Sequence, residues 1–351
     1  VDENYLFTFK QDVENNSLGL ITLFPFNQLS RQELPSDKSI GLLHEGPTGW
    51  FDDELEEEDY DDIEENDFRR EFNSGWIGEA ISASAGSKLS SSGLIFLGAK
   101  EVDLIDNYSN NKNLPNFDLL IDWGWFYFIS KPLFYILDFL FSYTGNFGVA
   151  ILLLTVLIKL VFFPIVNRSY VQMAKMRKFQ PEIAKMAQEM QSLYKKEELK
   201  PLSGCLPVFI QIPVFFALYN VLLVTIEMRH APFFGWIRDL SAPDPLSVFN
   251  LFGLINWVPP QILMIGVFHL LFGLTFLLQT KLNPAPTDPI QKTLFTWMPI
   301  FMIFIAANFP IGLVIYWAWN GLLSIMQQAY IMKKQGMDIA LFENFKRKDN
   351  S

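Results

Sequence analysis

The stretch NFGVAILLLTVLIKLVFFP, residues Asn146–Pro164, decides the fold class of this chain. It is nearly free of polar groups and long enough to cross a bilayer, since a spanning helix needs about 20 mostly apolar residues. Lys159 interrupts it, and a charge at the centre of a spanning helix costs about 2.5–3.5 kcal/mol on insertion scales. The lysine therefore predicts either a functional polar site inside the membrane or a side chain that snorkels to the interface.

Four further apolar segments follow, so the second half of the chain predicts a bundle of five spans. The segments are Phe147–Pro164, Leu206–Ile226, Val258–Thr280, Leu294–Phe309 and Ile311–Tyr330. Only Pro310 separates the last two, which predicts a tight hairpin of spans. We therefore predict an α-helical integral membrane protein with a five-span core over residues 146–334 and a tail over residues 335–351.

Residues 1–118 are soluble in character, and alternating runs at Tyr5–Phe9 and Ile21–Phe26 predict strands of an all-β domain. The net charge of −11 comes from one block, Asp52–Asp67, which carries twelve carboxylates and no basic residue. We expect this block on solvated strands and loops, with a binding face for a basic partner as the alternative. Ser82–Ser92 is predicted to be a low-complexity linker.

Residues 119–145 are rich in aromatic side chains but carry charges and a proline that make the segment too broken for a span. Trp123, Trp125, Tyr127 and Tyr135 suit the headgroup level of a bilayer. We predict an amphipathic helix lying on the outer membrane interface. The alternative is an ordinary buried helix of the outer domain.

Lysine and arginine concentrate in cytoplasmic loops of membrane proteins. Residues Ile165–Cys205 carry eight such residues, whereas Glu227–Trp257 carries only Arg229 and Arg238. We therefore place the first loop and the basic C-terminal tail in the cytoplasm, and the second loop and the N-terminal domain outside. An outside N-terminal domain must be exported, so we expect a further span or signal anchor ahead of Val1.

The cytoplasmic segment 165–204 is predicted to be a helical hairpin broken at Gln180–Pro181. Its methionines recur at helical spacing, which predicts either the contact between the two arms or an adaptable surface for apolar segments and targeting factors. The candidate hairpin residues are Met173, Met176, Lys175, Arg177, Lys178 and Met190.

Polar residues on three different spans lie at a similar predicted depth. Lys159, Gln211 and Ser324 fall in the inner leaflet, and Thr155 and Asn320 continue the set toward the midplane. Unpaired polar groups are costly in hydrocarbon, so we predict a hydrated, positive cavity, open to the cytoplasm and closed toward the outside. Interhelical hydrogen bonds are the alternative for Gln211 and Asn320.

The sequence carries no phosphate-binding glycine loop, no H-E-x-x-H and no G-x-S-x-G. Its three histidines are scattered, and we expect His269, placed mid-way along a span, to be packed and hydrogen-bonded. Cys205 is the sole cysteine, which excludes a disulfide within the chain. We therefore predict no cofactor, no metal site, no catalytic residue and no enzyme. A secondary transporter with Lys159 as its ion site is the alternative function, and a structural subunit of a translocon is a third.

Residues 147–334 resemble the YidC family of membrane protein insertases, relatives of the mitochondrial Oxa and chloroplast Albino proteins. The similar text includes SYVQMAKMRKFQPEI, LYKKEELKPLSGCLPVFIQIPVFFALY, EMRHAPFFGWIRDLSAPDP, LNPAPTDPIQK and FPIGLVIYWAWNGLLSIMQQ. HEGPTGWF and LGAKEVDLIDNY are similar to the periplasmic domain of the Gram-negative branch. The resemblance implies a bacterial inner-membrane insertase and chaperone with a five-helix core, one more N-terminal span and a hydrophilic groove.

The resemblance also implies roles for individual residues. Lys159 stands where the family usually has a groove arginine, and Thr155, Gln211, Tyr316 and Trp317 match groove or substrate-contact positions; Asn320 and Ser324 complete our groove set. A lipid-facing slide is implied at Phe209, Phe215, Phe216, Ile300 and Ile303. Implied partners are nascent membrane proteins, the lipid bilayer, the ribosome, the signal recognition particle system and a Sec translocon, with no DNA. The chain departs from the family pattern at two places. Lys159 keeps the positive charge but lacks the planar fork of arginine. Met186–Ala187 stands where the family usually has a longer hairpin tip.

Overall fold

The computed structural model describes residues 5–32, 48–51, 54–57, 71–96, 98–111, 114, 116–185, 206–283 and 289–336. The chain divides into two compact units. The first comprises Val1–Asp122 with Val224–Ile226, and the second comprises Trp123–Leu223 with Glu227–Ser351.

Eight short strands of the first unit pair as four nested antiparallel ladders. They are β1 (Leu6–Glu14), β2 (Ile21–Leu23), β3 (Phe26–Gln32), β4 (Thr48–Phe51), β5 (Glu54–Glu57), β6 (Glu71–Ile77), β7 (Ile81–Ala83) and β8 (Lys88–Phe96). The pairs are β1 with β8, β2 with β7, β3 with β6 and β4 with β5. Strands β1 to β4 thus pair in reverse order with β8 to β5, so each ladder lies within the preceding one along the chain.

The first unit is not all-β, because Val102–Asn111 forms a helix, α1. Tyr108 of α1 packs edge-to-face against Phe96 and Phe117, with ring centroids 6.0–6.1 Å apart. Edge-to-face contact suits the aromatic quadrupole. The sequence pattern emphasised the alternating strands and missed this short helix, which an aromatic cluster holds against the end of β8.

The predicted linker Ser82–Ser92 is wrong, because these residues form the end of β7, a turn and most of β8. The small side chains pair across the ladder, as Ser90–Ser92 do with residues of β1. Gly86 adopts a left-handed φ of 76° in the turn, which glycine tolerates without a steric penalty. Of the acidic block, Glu54–Glu57 forms β5, and the remainder of the block lies outside the described residues.

Six helices carry most of the second unit. They are α2 (Tyr127–Thr144), α3 (Phe147–Lys185), α4 (Leu206–Val224), α5 (Val267–Leu282), α6 (Pro289–Ala306) and α7 (Ile311–Lys334). By length and composition, the stretch Phe147–Phe179 of α3 is the one helix among the described residues that is long and apolar enough to cross a membrane. Shorter apolar helices occupy Gln211–Val224, Val267–Leu282 and Thr293–Ala306.

The junction between α2 and α3 follows from two residues. Gly145 ends α2 in a left-handed conformation with φ 63°, and its N–H donates to the carbonyl of Phe141. Asn146 then caps α3, because its Oδ1 accepts the backbone N–H of Val149 at 3.1 Å. The exposed aromatic side chains of α2 include Phe128, which is 70% exposed. The placement of α2 on a membrane interface remains a prediction.

Helix α3 continues for 39 residues through both Pro164 and Pro181. The predicted helix break at Gln180–Pro181 is therefore wrong. The helix also does not end at Pro164, while the point at which the first span leaves the membrane stays a prediction. Proline in a helix interior removes one hydrogen bond and costs about 3 kcal/mol, a cost that packing along the rest of this long helix offsets. The first arm of the predicted hairpin is thus a direct extension of the spanning helix, and residues 186–205, including Met190, lie outside the described residues.

Helix α5 begins at Val267, nine residues later than the predicted span Val258–Thr280. Pro259 and Pro260 lie in the intervening segment. Proline lacks a backbone donor and disfavours helical geometry in the residue before it. His269 consequently lies in the first turn of α5 and not mid-way along a span.

Helices α5 and α7 approach closely where Gly321 faces Thr275. A Cβ added at Gly321 would lie 2.6 Å from Thr275 Oγ1 and 2.9 Å from Thr275 Cβ. Small residues at such positions allow the backbones of spanning helices to approach. This contact positions the polar face of α7 beside the end of α5.

Candidate functional site: a polar cavity between the helices

A cavity of about 390 Å³ lies among α3, α4, α5, α6 and α7. Its polar lining residues are Lys159, Tyr170, Gln211, Gln279, Asn283, Trp317, Asn320, Ser324, Gln327 and Gln328. Its apolar lining includes Phe162, Phe215 and Met302. The structure therefore brings polar groups from four helices to one space.

One face of α3 forms a long wall of this cavity. Lys159, Phe162, Val166, Tyr170 and Met173 all line it and follow one another at spacings of three or four residues. Such spacing places side chains on one helix face. The wall extends past Pro164 because α3 is unbroken there. Tyr170 was not predicted as a site residue, because the span was expected to end at the proline.

Lys159 is half-buried, and its Nζ donates a hydrogen bond to the hydroxyl of Ser324 on α7. Ser324 in turn donates to the carbonyl oxygen of Asn320 at 2.8 Å. Lys159 is the sole charged side chain among the cavity-lining residues. Across the described part of the chain it forms no salt bridge. The cavity is therefore electropositive.

Gln211 links α4 to α7 through two side chains. Its Nε2 donates to the hydroxyl of Tyr316, and its Oε1 accepts a hydrogen bond from Asn320 Nδ2 at 3.2 Å. The amide of Gln211 thus has both of its ends engaged, as the alternative of interhelical hydrogen bonding predicted. The same residue lines the cavity, so these hydrogen bonds do not contradict the predicted groove, which stays a prediction.

A second group of amide side chains also lines the cavity but was not predicted as part of the groove. Gln279 donates to the carbonyl of Gly321 at 3.2 Å, and Gln328 donates to Asn283 Oδ1 at 3.1 Å. Gln327 also lines the cavity, and its buried Nε2 has no hydrogen-bond partner among the described residues. The available signal was the spacing of four between Gln279, in the last turn of α5, and Asn283, which directly follows the helix.

Aromatic rings close one end of the polar set. The indole of Trp317 stacks between Phe215 of α4 and Phe272 of α5, with ring centroids 4.9 Å away on each side. Phe309 contacts the same indole edge-on at 5.5 Å. Trp317 lies one turn before Asn320 on α7, so the rings stand on the side of the polar groups nearer Ile311, where α7 begins.

Two predicted groove residues do not line the cavity. Thr155 is buried and its hydroxyl donates to Ile151 of its own helix at 2.7 Å. Tyr316 is 1% exposed and reaches the cavity only through its hydrogen bond with Gln211. The predicted groove residues that do line it are Lys159, Gln211, Trp317, Asn320 and Ser324.

His269 is fully buried and satisfied by hydrogen bonds, in the way predicted for a packed side chain. Its Nδ1 accepts the backbone N–H of Gly266 at 3.2 Å, and its Nε2 lies 3.2 Å from the carbonyl of Ala306. Its other neighbour, Asp244, was not predicted; the Oδ2 atom of Asp244 lies 3.9 Å from Nδ1 of His269. Among the described residues no group of three or more metal-ligating side chains is found.

Comparison with known proteins decides the family. A family model described as 60Kd inner membrane protein matches residues 139–338, and one described as YidC periplasmic domain matches residues 1–80 and 79–136. A membrane protein insertase YidC of Sinorhizobium medicae is 43% identical over 99% of this chain and 67% of its own length. Those of Mesorhizobium japonicum and Brucella suis are 44% and 45% identical, over 99% of this chain and 67% and 65% of their lengths.

The chain belongs to the YidC family of membrane protein insertases. It spans about two thirds of the length of these relatives. A solved structure described as an active YidC insertase with its first transmembrane domain resolved is similar over 94% of this chain and 71% of its own. That match has a TM-score of 0.45 and 20% sequence identity.

The residues that the resemblance assigns to the lipid-facing slide of the YidC family differ in their exposure and in their contacts. Phe216 and Ile300 are exposed on α4 and α6, at 44% and 45%. Phe215 lines the cavity, whereas Ile303 lies against Gly273 of α5. Phe209 lies in the first turn of α4, where side chains are outside the described part of the structure.

The residues assigned to the YidC cytoplasmic hairpin divide between packing and exposure. Met173 is buried with Tyr170 and with Ile331 of α7. Arg177 donates to the carbonyl of Leu282 at 3.0 Å, which joins α3 to the end of α5. Met176 is half-buried, and Lys175 and Lys178 are exposed. Met173 thus belongs to the contact between α3 and α7, while the exposed Lys175 and Lys178 form a basic surface on α3.

Proposed function

We propose that this insertase receives the polar tail of a substrate in the cavity around Lys159. The observation that carries the proposal is a lone charged side chain in a cavity lined otherwise by amides, hydroxyls and apolar groups. Intramembrane ionisable residues of this kind characteristically face a bundle interior or a water-filled space and serve function. The cavity is hydrated, and it opens to the cytoplasm.

The partner of Lys159 supports a role in attracting carboxylates. Its Nζ is bonded to the neutral hydroxyl of Ser324 and forms no ion pair among the described residues. A lysine neutralised by a neighbouring carboxylate would have little attraction for a second one. Here the charge is left for an acidic tail, and the amide N–H of Gln327, which has no partner among the described residues, is left for the backbone of that tail.

The apolar part of the substrate leaves the cavity between α4 and α6. Phe215 lines the cavity, and its neighbour Phe216 is exposed on the outside of α4. Ile300 is exposed on α6 in the same way. We expect these side chains to line the apolar path from the cavity to lipid. Burial of about 20 apolar residues drives transfer, so insertion needs no nucleotide.

The orientation in the membrane is part of the same proposal. The N-terminal domain is periplasmic, α2 lies on the outer interface, and the basic extension of α3 and the tail are cytoplasmic. The exposed Lys175 and Lys178 fit contact with a ribosome, a targeting factor or a Sec translocon. Single cysteines at 175 and 128, labelled from each side of the membrane, test this orientation. Labelling of both positions from the same side would contradict it.

The cavity is tested by insertion into vesicles that contain only this protein. We expect Lys159→Ala to weaken insertion of single-span substrates with short acidic tails, and Lys159→Arg to retain it, because arginine keeps the charge. Lys281→Ala is the matched control, since Lys281 is exposed at the end of α5 and outside the cavity lining. Unchanged insertion by the Lys159→Ala variant would rule the role out. A loss shared equally by Lys281→Ala would assign the effect to general surface charge.

A further inference from the structure

The segment between α4 and α5 contains a loop whose polarity is inverted. In Phe249–Val258 the exposed side chains are apolar apart from Asn256, and Leu254 and Val258 reach 85% and 84% exposure. The polar side chains Ser247 and Asn250 are instead buried, at 0% and 9%. A loop that faces water normally shows the opposite arrangement.

Buried hydrogen bonds hold this loop in a defined shape. Asn250 Nδ2 donates to the carbonyl of Trp257 at 3.2 Å, and its Oδ1 accepts the N–H of Gly253 at 3.1 Å. Ser247 donates to the carbonyl of Leu263 at 2.6 Å. Asn250 therefore binds the backbone of the loop itself, and Ser247 joins the two segments that flank the loop.

Two residues of the loop adopt strained backbone conformations. Leu251 and Phe252 adopt φ values of 51° and 57°, in the left-handed region that residues with a Cβ rarely occupy. Such conformations persist where surrounding structure determines them, and they cluster at functional segments. Both side chains are exposed, so the conformation serves the outer surface of the loop and not its packing.

The short length of α5 indicates that the loop contacts lipid. Its 16 residues extend about 24 Å at 1.5 Å per residue, less than the hydrocarbon thickness of about 30 Å. The chain just ahead of Val267 must therefore lie at membrane depth on that side. No Asp, Glu, Lys or Arg occurs between Asp244 and Lys281. The internal hydrogen bonds of the loop meet the requirement that backbone groups in lipid be satisfied.

We propose that Phe249–Val258 is a lipid-binding loop that enters the leaflet on the side where α5 begins, the outer leaflet in the predicted topology. Its apolar side chains contact acyl chains near the headgroup boundary. Trp257 lies at that level, which suits an amphipathic ring. The loop completes the short span of α5 and fixes the depth of its first turn, where His269 is buried.

The test uses the full chain with Cys205→Ser, labelled through single cysteines at Leu254 and at Val258 with an environment-sensitive fluorophore. The protein is placed in phosphatidylethanolamine–phosphatidylglycerol vesicles that carry acyl-chain-brominated lipid. Arg238→Cys is the matched control, because Arg238 is exposed in the same connection and carries a charge. We expect brominated lipid to quench positions 254 and 258 several-fold more strongly than position 238, and iodide in the outer solution to show the reverse order.

Two outcomes would overturn the proposal. Iodide quenching at 254 and 258 as strong as at 238 would show that the loop faces water. Protection from both quenchers would show that protein covers it, either a second copy of this chain or another part of the same chain. Ile262, 54% exposed and close to the loop, is a further label position if either substitution prevents folding.

Discussion

Replacing Tyr316 by phenylalanine tests whether the cavity is hydrated. The hydroxyl of Tyr316 accepts the hydrogen bond of Gln211 Nε2, and Tyr316 itself is almost completely buried. The substitution removes one oxygen and leaves the ring in place. What happens to the free N–H of Gln211 then depends on whether water reaches the cavity that this glutamine lines.

The two cases differ in magnitude. If water fills the cavity, the amide is rehydrated and the loss is that of an average hydrogen bond between spanning helices, about 0.6 kcal/mol. If the cavity is dry, a buried donor is left unsatisfied and the loss rises to about 1–3 kcal/mol. We expect the smaller value, because Lys159, Gln279 and Asn320 line the same space.

The measurement is reversible unfolding in mixed micelles. Tyr330→Phe is the matched control on the same helix, since Tyr330 is 64% exposed and its substitution is expected to stay within about 0.5 kcal/mol of the parent. A loss above about 2 kcal/mol for Tyr316→Phe, with Tyr330→Phe neutral, would refute a hydrated cavity. It would leave a dry, hydrogen-bonded bundle in its place.

Three further predictions follow from single contacts. Gly321→Ala should cost about 1–3 kcal/mol, seen as a lower Tm, because the new Cβ would overlap Thr275 and force α5 away from α7; a parental Tm would contradict this close contact. Thr155→Val should leave insertion unchanged, because the Thr155 hydroxyl binds only its own helix, and a clear loss would restore the groove role that the family resemblance implies. Burial raises the pKa of Asp244 despite hydrogen bonds from Leu246 and Trp236. The charged form is therefore disfavoured in the folded state, and stability is lost as pH rises through the raised pKa. The Tm of Asp244→Asn relative to the parent should accordingly increase between about pH 4 and about pH 8, and a constant difference would contradict a buried, titrating carboxyl.

The meeting of three polar residues in one cavity could be predicted because it follows from counting along helices. Lys159, Gln211 and Ser324 were placed at a similar level from their distances to span ends, and all three line one cavity. Period and rise fix such levels without knowledge of the partners. Which groups pair, however, depends on helix rotation and on the close contact at Gly321, and neither is encoded in spacing alone.

The ends of helices were predicted less well, because proline was treated as a stop signal at Pro164 and Pro181 but not at Pro259–Pro260. At Pro164 and Pro181 the helix continues, whereas ahead of α5 the pair Pro259–Pro260 does delay the helix. A single proline removes one backbone bond, and a long packed helix tolerates that loss. Two consecutive prolines also constrain the backbone that precedes them. After them the chain forms a short 3₁₀ turn at Gln261–Leu263 before the helix begins.

The choice of lysine over the arginine usual in the family has a consequence for how the charge is held. A guanidinium presents five donors in a rigid fork and would engage several of the surrounding amides at once, whereas an ammonium is a compact charge on a flexible stem. In this chain the amides already bind one another and the helix backbones, as Gln211 does with Asn320 and Gln279 with the Gly321 carbonyl. Lys159 is left with the hydroxyl of Ser324. A hydroxyl of a neutral side chain holds an ammonium less firmly than a carboxylate does, so the lysine head can exchange Ser324 for an incoming carboxylate without breaking the amide network. Under the proposed function, the walls of the cavity therefore stay fixed while the ammonium of Lys159 moves to the substrate.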